Sequence, residues 1–138
     1  MICDEKELGL LVYQAVSLLK KTRCLLLSGP VGVGKTAFAR SVIRILCSDA
    51  KDIPSPSFPL MLPYDTHLGR LWHVDLYRLS DAECRKECEA MGLFDCMKSD
   101  YVILEWPERL PSMLSGAVIR FDFTSDEKTR QVVFPSVR

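Results

Sequence analysis

The chain has 138 residues with 18 Lys+Arg and 18 Asp+Glu, so its formal net charge at pH 7 is zero. With 48% hydrophobic and 26% charged residues it has an ordinary globular composition, and its length suits one domain over residues 1–138. A neutral chain lacks the positive charge with which a protein binds nucleic acid by itself. Its apolar runs are shorter than the roughly 20 residues of a membrane-spanning helix, and residues 1–7 show no signal-peptide pattern, so we expect a cytoplasmic protein without membrane contact.

The first third of the chain is predicted to form a helix, a strand, a glycine-rich loop and a second helix. Apolar residues recur every three or four positions from residue 5 to 21, which predicts an amphipathic helix with Asp4 as its N-cap. Residues 24–27 are continuously apolar, which is typical of a strand covered on both faces in a parallel sheet. Residues 35–47 again have helical periodicity.

The middle of the chain begins with prolines at four positions between residues 51 and 63, which exclude a helix and allow only a short strand. Residues 71–77 alternate as a strand does, and a helix capped by Ser80 or Asp81 should follow, reaching about residue 92. Residues 101–104 predict another buried strand.

Two last strands, at residues 117–123 and 131–134, are joined by a short polar turn. This length favours an antiparallel hairpin, because a parallel crossover needs a dozen or more residues. The predicted fold is therefore α/β, with a mixed β-sheet flanked by helices and a C-terminal antiparallel hairpin.

The six cysteines are expected to be reduced structural thiols, since disulfide frameworks belong to short secreted chains. Cys84 and Cys88 would share one helical face, a spacing that can hold a metal. No CxxC pair accompanies them, and His67 and His73 lie in other segments. A zinc site is accordingly the less favoured interpretation.

Residues 29–36 match the phosphate-loop pattern G-x-x-x-x-G-K-[ST] at every fixed position, between a predicted strand and a predicted helix. Glycines let the backbone wrap so that its N–H groups converge on a triphosphate at the N-terminus of the helix. Lys35 can reach the β- and γ-phosphates, and the Thr36 hydroxyl can ligate Mg²⁺. The pattern predicts a P-loop nucleotide-binding domain but specifies neither the base nor the reaction. The predicted nucleotide-binding residues here are Gly29, Pro30, Val31, Gly32, Val33, Gly34, Lys35, Thr36 and Ala37.

Glu105 follows the apolar strand at residues 101–104, at the strand end where doubly wound sheets bind ligands. We predict that it is the Walker B acid and acts on Mg²⁺; a surface or helix-capping glutamate is the alternative.

Asp75 shares one face of its predicted strand with His73 and Tyr77. It could position the attacking water or the hydration shell of the metal. An ion pair between Asp75 and Arg78 is an equally open interpretation, whereas His73 is interpreted as a hydrogen-bonded structural histidine. The predicted catalytic residues are Lys35, Asp75 and Glu105.

Ser55 and Ser57 lie in the proline-rich stretch, about twenty residues after Thr36. Nucleotide triphosphatases often place a switch hydroxyl in such a loop, where contact with Mg²⁺ or the γ-phosphate orders it. By itself, this position favours a solvated loop serine.

Taken together, four motifs at residues 29–36, 54–58, 73–79 and 103–109 resemble the TsaE (YjeE) family of ATPases in tRNA threonylcarbamoyladenosine synthesis. The elements H-x-D-x-Y-R and E-W-P-E-R make this resemblance specific. It implies a single-domain P-loop NTPase fold, with ATP rather than GTP as the ligand. It also implies functional roles for Lys35, Thr36, Asp75 and Glu105, a switch hydroxyl at Ser57, and a position near the nucleotide for Trp106.

The resemblance further implies partners, TsaB and TsaD, which bind the tRNA and transfer the threonylcarbamoyl group to the adenosine beside the anticodon. Contact with tRNA would then be indirect, and ATP hydrolysis would support turnover of the assembly. Family members commonly have a second threonine where this chain has Ala37, and Ser-Pro-Thr where Ser57 ends Ser-Pro-Ser. Both departures bear on the hydrolysis rate.

Two other functions compete with an ATPase. A small-molecule kinase usually needs a lid rich in arginine, and the stretch from residue 80 to 97 is predominantly acidic. A non-catalytic module would use the nucleotide only as a conformational signal.

Overall fold

Seven strands in the described residues form one sheet. The computed structural model describes residues 1–50, 52–56, 60–110 and 114–135. The strands are β1 (Ile2–Cys3), β2 (Cys24–Ser28), β3 (Met61–Thr66), β4 (Gly69–Asp75), β5 (Tyr101–Glu105), β6 (Ala117–Phe123) and β7 (Arg130–Val133). Their order across the sheet is β1-β7-β6-β2-β5-β4-β3.

The helices flank this sheet on both faces. They are α1 (Glu5–Thr22), α2 (Lys35–Leu46), α3 (Asp81–Met91) and α4 (Leu93–Ser99), and a short 3₁₀ turn follows at Pro107–Arg109. The predicted caps are confirmed: Asp4 accepts a hydrogen bond from the Glu7 N–H at 2.8 Å, and Ser80 accepts one from the Glu83 N–H at 3.3 Å.

The centre of the sheet is parallel and its margins are antiparallel. Strand β2 lies parallel to β5 and β6, and β4 lies parallel to β5. The pairs β3–β4, β6–β7 and β1–β7 are antiparallel. The mixed sheet and the C-terminal hairpin are thus confirmed. In register, Asp75 pairs with Glu105, which in turn pairs with Leu27, so these strand ends meet at one edge.

Hydrophobic side chains of the central strands fill two cores, one on each side of the sheet. Leu25, Leu27 and Ile103 pack with α1 and α2. Leu26 and Leu104, on the opposite pleats, pack with the helix pair α3 and α4. This two-sided burial explains the continuous apolar sequences of β2 and β5.

Three details differ from the sequence predictions. Strand β4 ends at Asp75 rather than at residue 77, because the chain turns there and the Tyr77 N–H donates to Asp75 Oδ1 at 3.0 Å. Strand β3 is six residues long and contains Pro63. It is an edge strand, where a missing N–H is tolerated. Strand β1 and helix α4 were not predicted, because their short sequences show no clear periodicity.

The six cysteines are unpaired thiols, as expected. Cys84 and Cys88 are buried with their sulfur atoms 3.9 Å apart, and burial raises the pKa of the Cys88 thiol to about 12. In the part of the chain that the structure describes, no group of three His, Cys, Asp or Glu residues is placed to hold a metal ion. Across the same residues, no helix is long and apolar enough to span a membrane.

Candidate functional site

The phosphate loop connects the end of β2 with the start of α2. Gly34 is the N-cap of α2, with φ 114°, and no side chain caps the helix. The first N–H groups of α2 therefore remain available to an anion at the positive end of the helix dipole. Gly29 has φ 147°, and a Cβ there would lie 2.5 Å from the Phe121 carbonyl oxygen, so this position requires glycine.

Lys35, the first residue of α2, is only 4% exposed. Its ammonium donates to the Gly29 carbonyl and lies 3.5 Å from the centre of the Trp106 ring. Burial lowers the pKa of Lys35, while the nearby carboxylates of Glu108, Glu105 and Asp75 act in the opposite direction. A polyanion that replaced the Gly29 carbonyl and the Trp106 ring as partners of the ammonium would stabilise its charge.

Glu105 is buried, with 1% of its surface exposed, so it is not a surface glutamate, and its carboxylate contacts two side chains rather than the N–H groups of a helix end. Its Oε1 accepts a hydrogen bond from the Thr36 hydroxyl at 2.6 Å, and its Oε2 lies 2.7 Å from His73 Nε2. The structure thus brings the two predicted metal ligands, Thr36 and Glu105, into direct contact.

Asp75 lies beside Glu105 on the neighbouring strand but is partly exposed. Burial raises its pKa, and the charge of Glu105 adds to that effect. The Tyr77 N–H, His73 and Lys35 oppose the rise. The alternative ion pair with Arg78 is absent among the described side chains, where Asp75 Oδ1 accepts from the Tyr77 backbone.

A cavity of about 260 Å³ joins these groups. Its lining residues are Val31, Gly32, Gly34, Lys35, Thr36, Ala37, Asp75, Tyr77, Glu105 and Trp106. Gly29, Pro30 and Val33 of the predicted set are absent from this lining. Val33 is buried, and its N–H donates to the Pro30 carbonyl at 3.4 Å, a hydrogen bond within the turn of the loop. Ser57 lies outside the described residues.

Trp106 closes one side of this cavity. It has φ 67°, a left-handed conformation that is uncommon outside glycine and is often found at functional sites. Its ring lies 5.0 Å from the ring of Tyr77, centre to centre, at an angle of 40°. The turn after β4 and the turn after β5 therefore meet through two aromatic side chains.

A second cavity, of about 580 Å³, shares Gly34 and Ala37 with the first. Its other lining residues are Cys3, Asp4, Lys6, Leu8, Val33, Lys128 and Arg130. Arg130 also donates from Nε to the Val33 carbonyl at 2.9 Å, which ties β7 to the phosphate loop. Sequence reasoning missed this cavity, since only the β1–β7 pairing brings the two ends of the chain together.

The oxygen atoms at this strand edge fit a magnesium ion. Mg²⁺ prefers hydroxyl, carboxylate and phosphate oxygens over nitrogen or sulfur. Thr36 and Glu105 provide a hydroxyl and a carboxylate 2.6 Å apart, beside the phosphate loop. Asp75, next to Glu105 in register, provides a further carboxylate.

A mixed sheet with a parallel centre, whose phosphate loop runs into a glycine-capped helix beside an acidic strand end, defines a P-loop nucleotide-binding protein. Residues 2–132 match the model of the family described as "Threonylcarbamoyl adenosine biosynthesis protein TsaE". The chain belongs to the TsaE family, which acts in tRNA threonylcarbamoyladenosine biosynthesis.

Curated relatives agree with this assignment. The chain is 36% identical over 101 residues to "tRNA threonylcarbamoyladenosine biosynthesis protein TsaE" of Rickettsia bellii, covering 73% of this chain and 68% of the relative. Identity to the protein of that name from Aquifex aeolicus is 35% over 107 residues, covering 77% and 74%. The crystal structure of Bacillus subtilis YdiB has the same fold, with a TM-score of 0.60 at 21% identity, covering 92% of this chain and 81% of that one.

Proposed function

We propose that this chain binds ATP with Mg²⁺ and hydrolyses it, slowly by itself, in support of tRNA threonylcarbamoyladenosine modification by TsaB and TsaD. The observation that carries the proposal is the contact between Thr36, which follows the phosphate-loop lysine, and the buried carboxylate of Glu105. Family membership supports the pathway, and the sequence resemblance supports these two partners. The absence of net charge agrees with indirect tRNA contact, because a partner can hold the RNA.

The phosphate loop and Lys35 would hold the triphosphate. Backbone N–H groups around Gly34 would bind its oxygens, and the Lys35 ammonium would leave the Gly29 carbonyl for the β- and γ-phosphates. Thr36 and Glu105 would hold the metal ion, since the Thr36 proton already points to Glu105 and leaves the hydroxyl lone pairs free. Bound Mg²⁺ would neutralise charge that develops on the phosphate oxygens.

Asp75 would orient the attacking water. It is exposed enough to meet solvent, and one oxygen remains after Oδ1 accepts the Tyr77 N–H. A carboxylate in hydrogen-bond contact with water can align it with the γ-phosphorus.

We expect weak intrinsic turnover, because a triphosphatase without an arginine at the γ-phosphate loses about 10³–10⁵ in rate. Arg109 is engaged with Asp81 at 3.2 Å and with the Tyr77 carbonyl at 3.4 Å. Arg78 lines a small cavity next to Asp75, with Ser55 and Tyr77, and is our candidate for this role. A partner protein could supply or reposition such a charge.

The nucleoside would occupy the second cavity. The backbone N–H groups near Ala37 come after those that would bind the β- and γ-phosphates, so they would lie nearest the sugar end of the triphosphate. Ala37 lines both cavities. A nucleotide with its triphosphate on the loop would therefore direct its sugar and base towards Lys6 and Lys128.

Hydrolysis of radiolabelled ATP, with and without TsaB, TsaD and tRNA, tests the proposal. We expect slow phosphate release alone and faster release with the partners. Phosphate transfer only after addition of a small-molecule acceptor would instead indicate a kinase. Tight binding with no turnover under any combination would leave only the conformational module.

Lys35→Ala should weaken ATP binding about 100-fold or more, because a buried ammonium facing phosphate makes charged hydrogen bonds worth about 1.5–3 kcal/mol each. Equilibrium binding of a fluorescent ATP analogue measures the loss. Lys98→Ala, at an exposed lysine of α4, is the charge-matched control and should bind as the wild type does. Unchanged affinity in the Lys35 variant would refute the assignment of the phosphate loop.

A further inference from the structure

We propose that His73 is a positioning residue for metal binding, which donates a hydrogen bond to Glu105 and so directs that carboxylate towards Thr36. This inference rests on the proposed function and assigns a specific task to a residue that the sequence marked only as structural. His73 is fully buried, and its Nε2 lies 2.7 Å from Glu105 Oε2.

The ring must carry its proton on Nε2 for this contact to be a hydrogen bond. The other ring nitrogen, Nδ1, is buried and has no hydrogen-bond partner among the described residues. If the only ring proton were on Nδ1, it would be a buried donor without an acceptor, and the lone pair of Nε2 would face the carboxylate oxygen at 2.7 Å. The geometry thus places a proton on Nε2, which faces Glu105 Oε2.

The contact leaves Glu105 with one orientation. With Oε2 occupied by His73, Oε1 faces Thr36 at 2.6 Å, and tilting the carboxylate out of this plane would weaken both hydrogen bonds. The backbone holds the two residues in place, since β4 and β5 are parallel neighbours and His73 pairs with Ile103. Partners behind a metal-binding carboxylate typically change metal affinity about 10–100-fold when removed.

A purely structural histidine would behave differently. It would fill space in the core, and its loss would lower stability and all ligand binding together. A positioning residue changes the metal-dependent part of nucleotide binding and leaves the metal-independent part intact.

The test compares His73→Leu, which removes the donor, with His73→Gln, whose amide N–H can reach the same carboxylate oxygen. Calorimetry with the non-hydrolysable analogue AMP-PNP is run in EDTA and at increasing Mg²⁺. In EDTA we expect affinities within about twofold of the wild type. The Mg²⁺ concentration for half-maximal enhancement should rise about tenfold in His73→Leu and return to within about threefold in His73→Gln.

Val74→Ala is the matched control for damage to the core. Val74 is the next residue of β4, fully buried in the opposite core, and its loss should lower stability without changing the Mg²⁺ dependence. An unchanged Mg²⁺ requirement in His73→Leu, or an equal loss in EDTA, would overturn the proposal. The proposal would also be overturned if His73→Gln needed as much Mg²⁺ for half-maximal enhancement as His73→Leu does.

Nitrogen NMR of the wild-type protein tests the same contact without any variant and without nucleotide. We expect Nε2 of His73 to carry a proton. A proton on Nδ1 alone would overturn the proposal even if nucleotide binding is confirmed. Absence of AMP-PNP binding by the wild type would instead refute the proposed function, and the NMR result would still decide the hydrogen bond.

Discussion

Two carboxylates end neighbouring strands of the sheet, and their surroundings differ sharply. Glu105 on β5 and Asp75 on β4 are paired in register. Glu105 is fully buried, with Thr36 and His73 holding its two oxygens. Asp75 is partly exposed, and a backbone N–H holds one of its oxygens.

Two carboxylates at the same sheet edge thus differ in burial and in hydrogen bonding, and such differences suit them to different roles. A carboxylate fixed by two hydrogen bonds needs little reorganisation to receive a cation. A carboxylate at the rim retains an oxygen for water, and burial without full compensation raises its pKa. We therefore infer a metal-holding role for Glu105 and a water-orienting role for Asp75.

Among the substitutions that test this contrast, Glu105→Gln should have the largest effect on ATP hydrolysis. The amide keeps the shape but removes the negative charge that would face Mg²⁺, so we expect ATP hydrolysis to fall about 1,000-fold, or about 4 kcal/mol of activation free energy. Phosphate release under saturating Mg²⁺ measures the change. Glu87→Gln, on the exposed surface of α3, is the control. Hydrolysis at the wild-type rate would exclude Glu105 from the metal site.

Asp75→Asn should have a smaller effect on hydrolysis, about 100-fold, because an oriented amide still contacts water but accepts its proton poorly. Affinity for AMP-PNP with Mg²⁺ should stay within a few-fold of the wild type. The split between rate and affinity separates the two acids. Equal losses of Mg²⁺ affinity in the Asp75 and Glu105 variants would contradict the division of roles.

Trp106 should report on the state of Lys35, since its ring contacts both the ammonium and Tyr77. We expect added ATP to change the fluorescence of Trp106 modestly, as Lys35 turns to the phosphates. The other tryptophan, Trp72, donates to Asp100 at 2.9 Å and does not line this cavity. Trp72→Phe should keep the change and Trp106→Phe should abolish it; the reverse pattern would contradict the arrangement.

The smallest effect concerns stability. Because burial raises the folded-state pKa of Asp75, the folded protein binds more protons than the unfolded chain between the two pKa values. The contribution of this group to stability therefore falls as pH rises through that window, and its ionised form destabilises the fold at pH 7. Asp75→Asn should shift the urea midpoint slightly upward at pH 7, in EDTA without nucleotide.

The advantage of the Asp75→Asn variant should shrink as pH is lowered through the same window, because protonation removes the charge in the wild type as well. A midpoint that falls at pH 7, or a gap that widens in acid, would show that Asp75 is stabilised by its surroundings. That outcome would remove one half of the contrast with Glu105.

Local sequence signals predicted much of this site. The phosphate loop at residues 29–36 is contiguous, and Glu105 is marked by its place at the end of an apolar strand. The contact between His73 and Glu105 depends on β4 lying next to β5, and strand order is not encoded in any short pattern. The predicted end of β4, at residue 77, was wrong for a related reason: the alternating pattern continues through Tyr77 and does not show that the chain turns at Asp75.

Above all, we propose that a triphosphate binds on the phosphate loop with a metal ion held beside Glu105. Titration calorimetry of AMP-PNP into folded wild-type protein, with Mg²⁺ and with EDTA, tests it most directly. We predict measurable binding that Mg²⁺ strengthens. No heat of binding in either condition, or the same affinity with Mg²⁺ as with EDTA, would contradict the proposal.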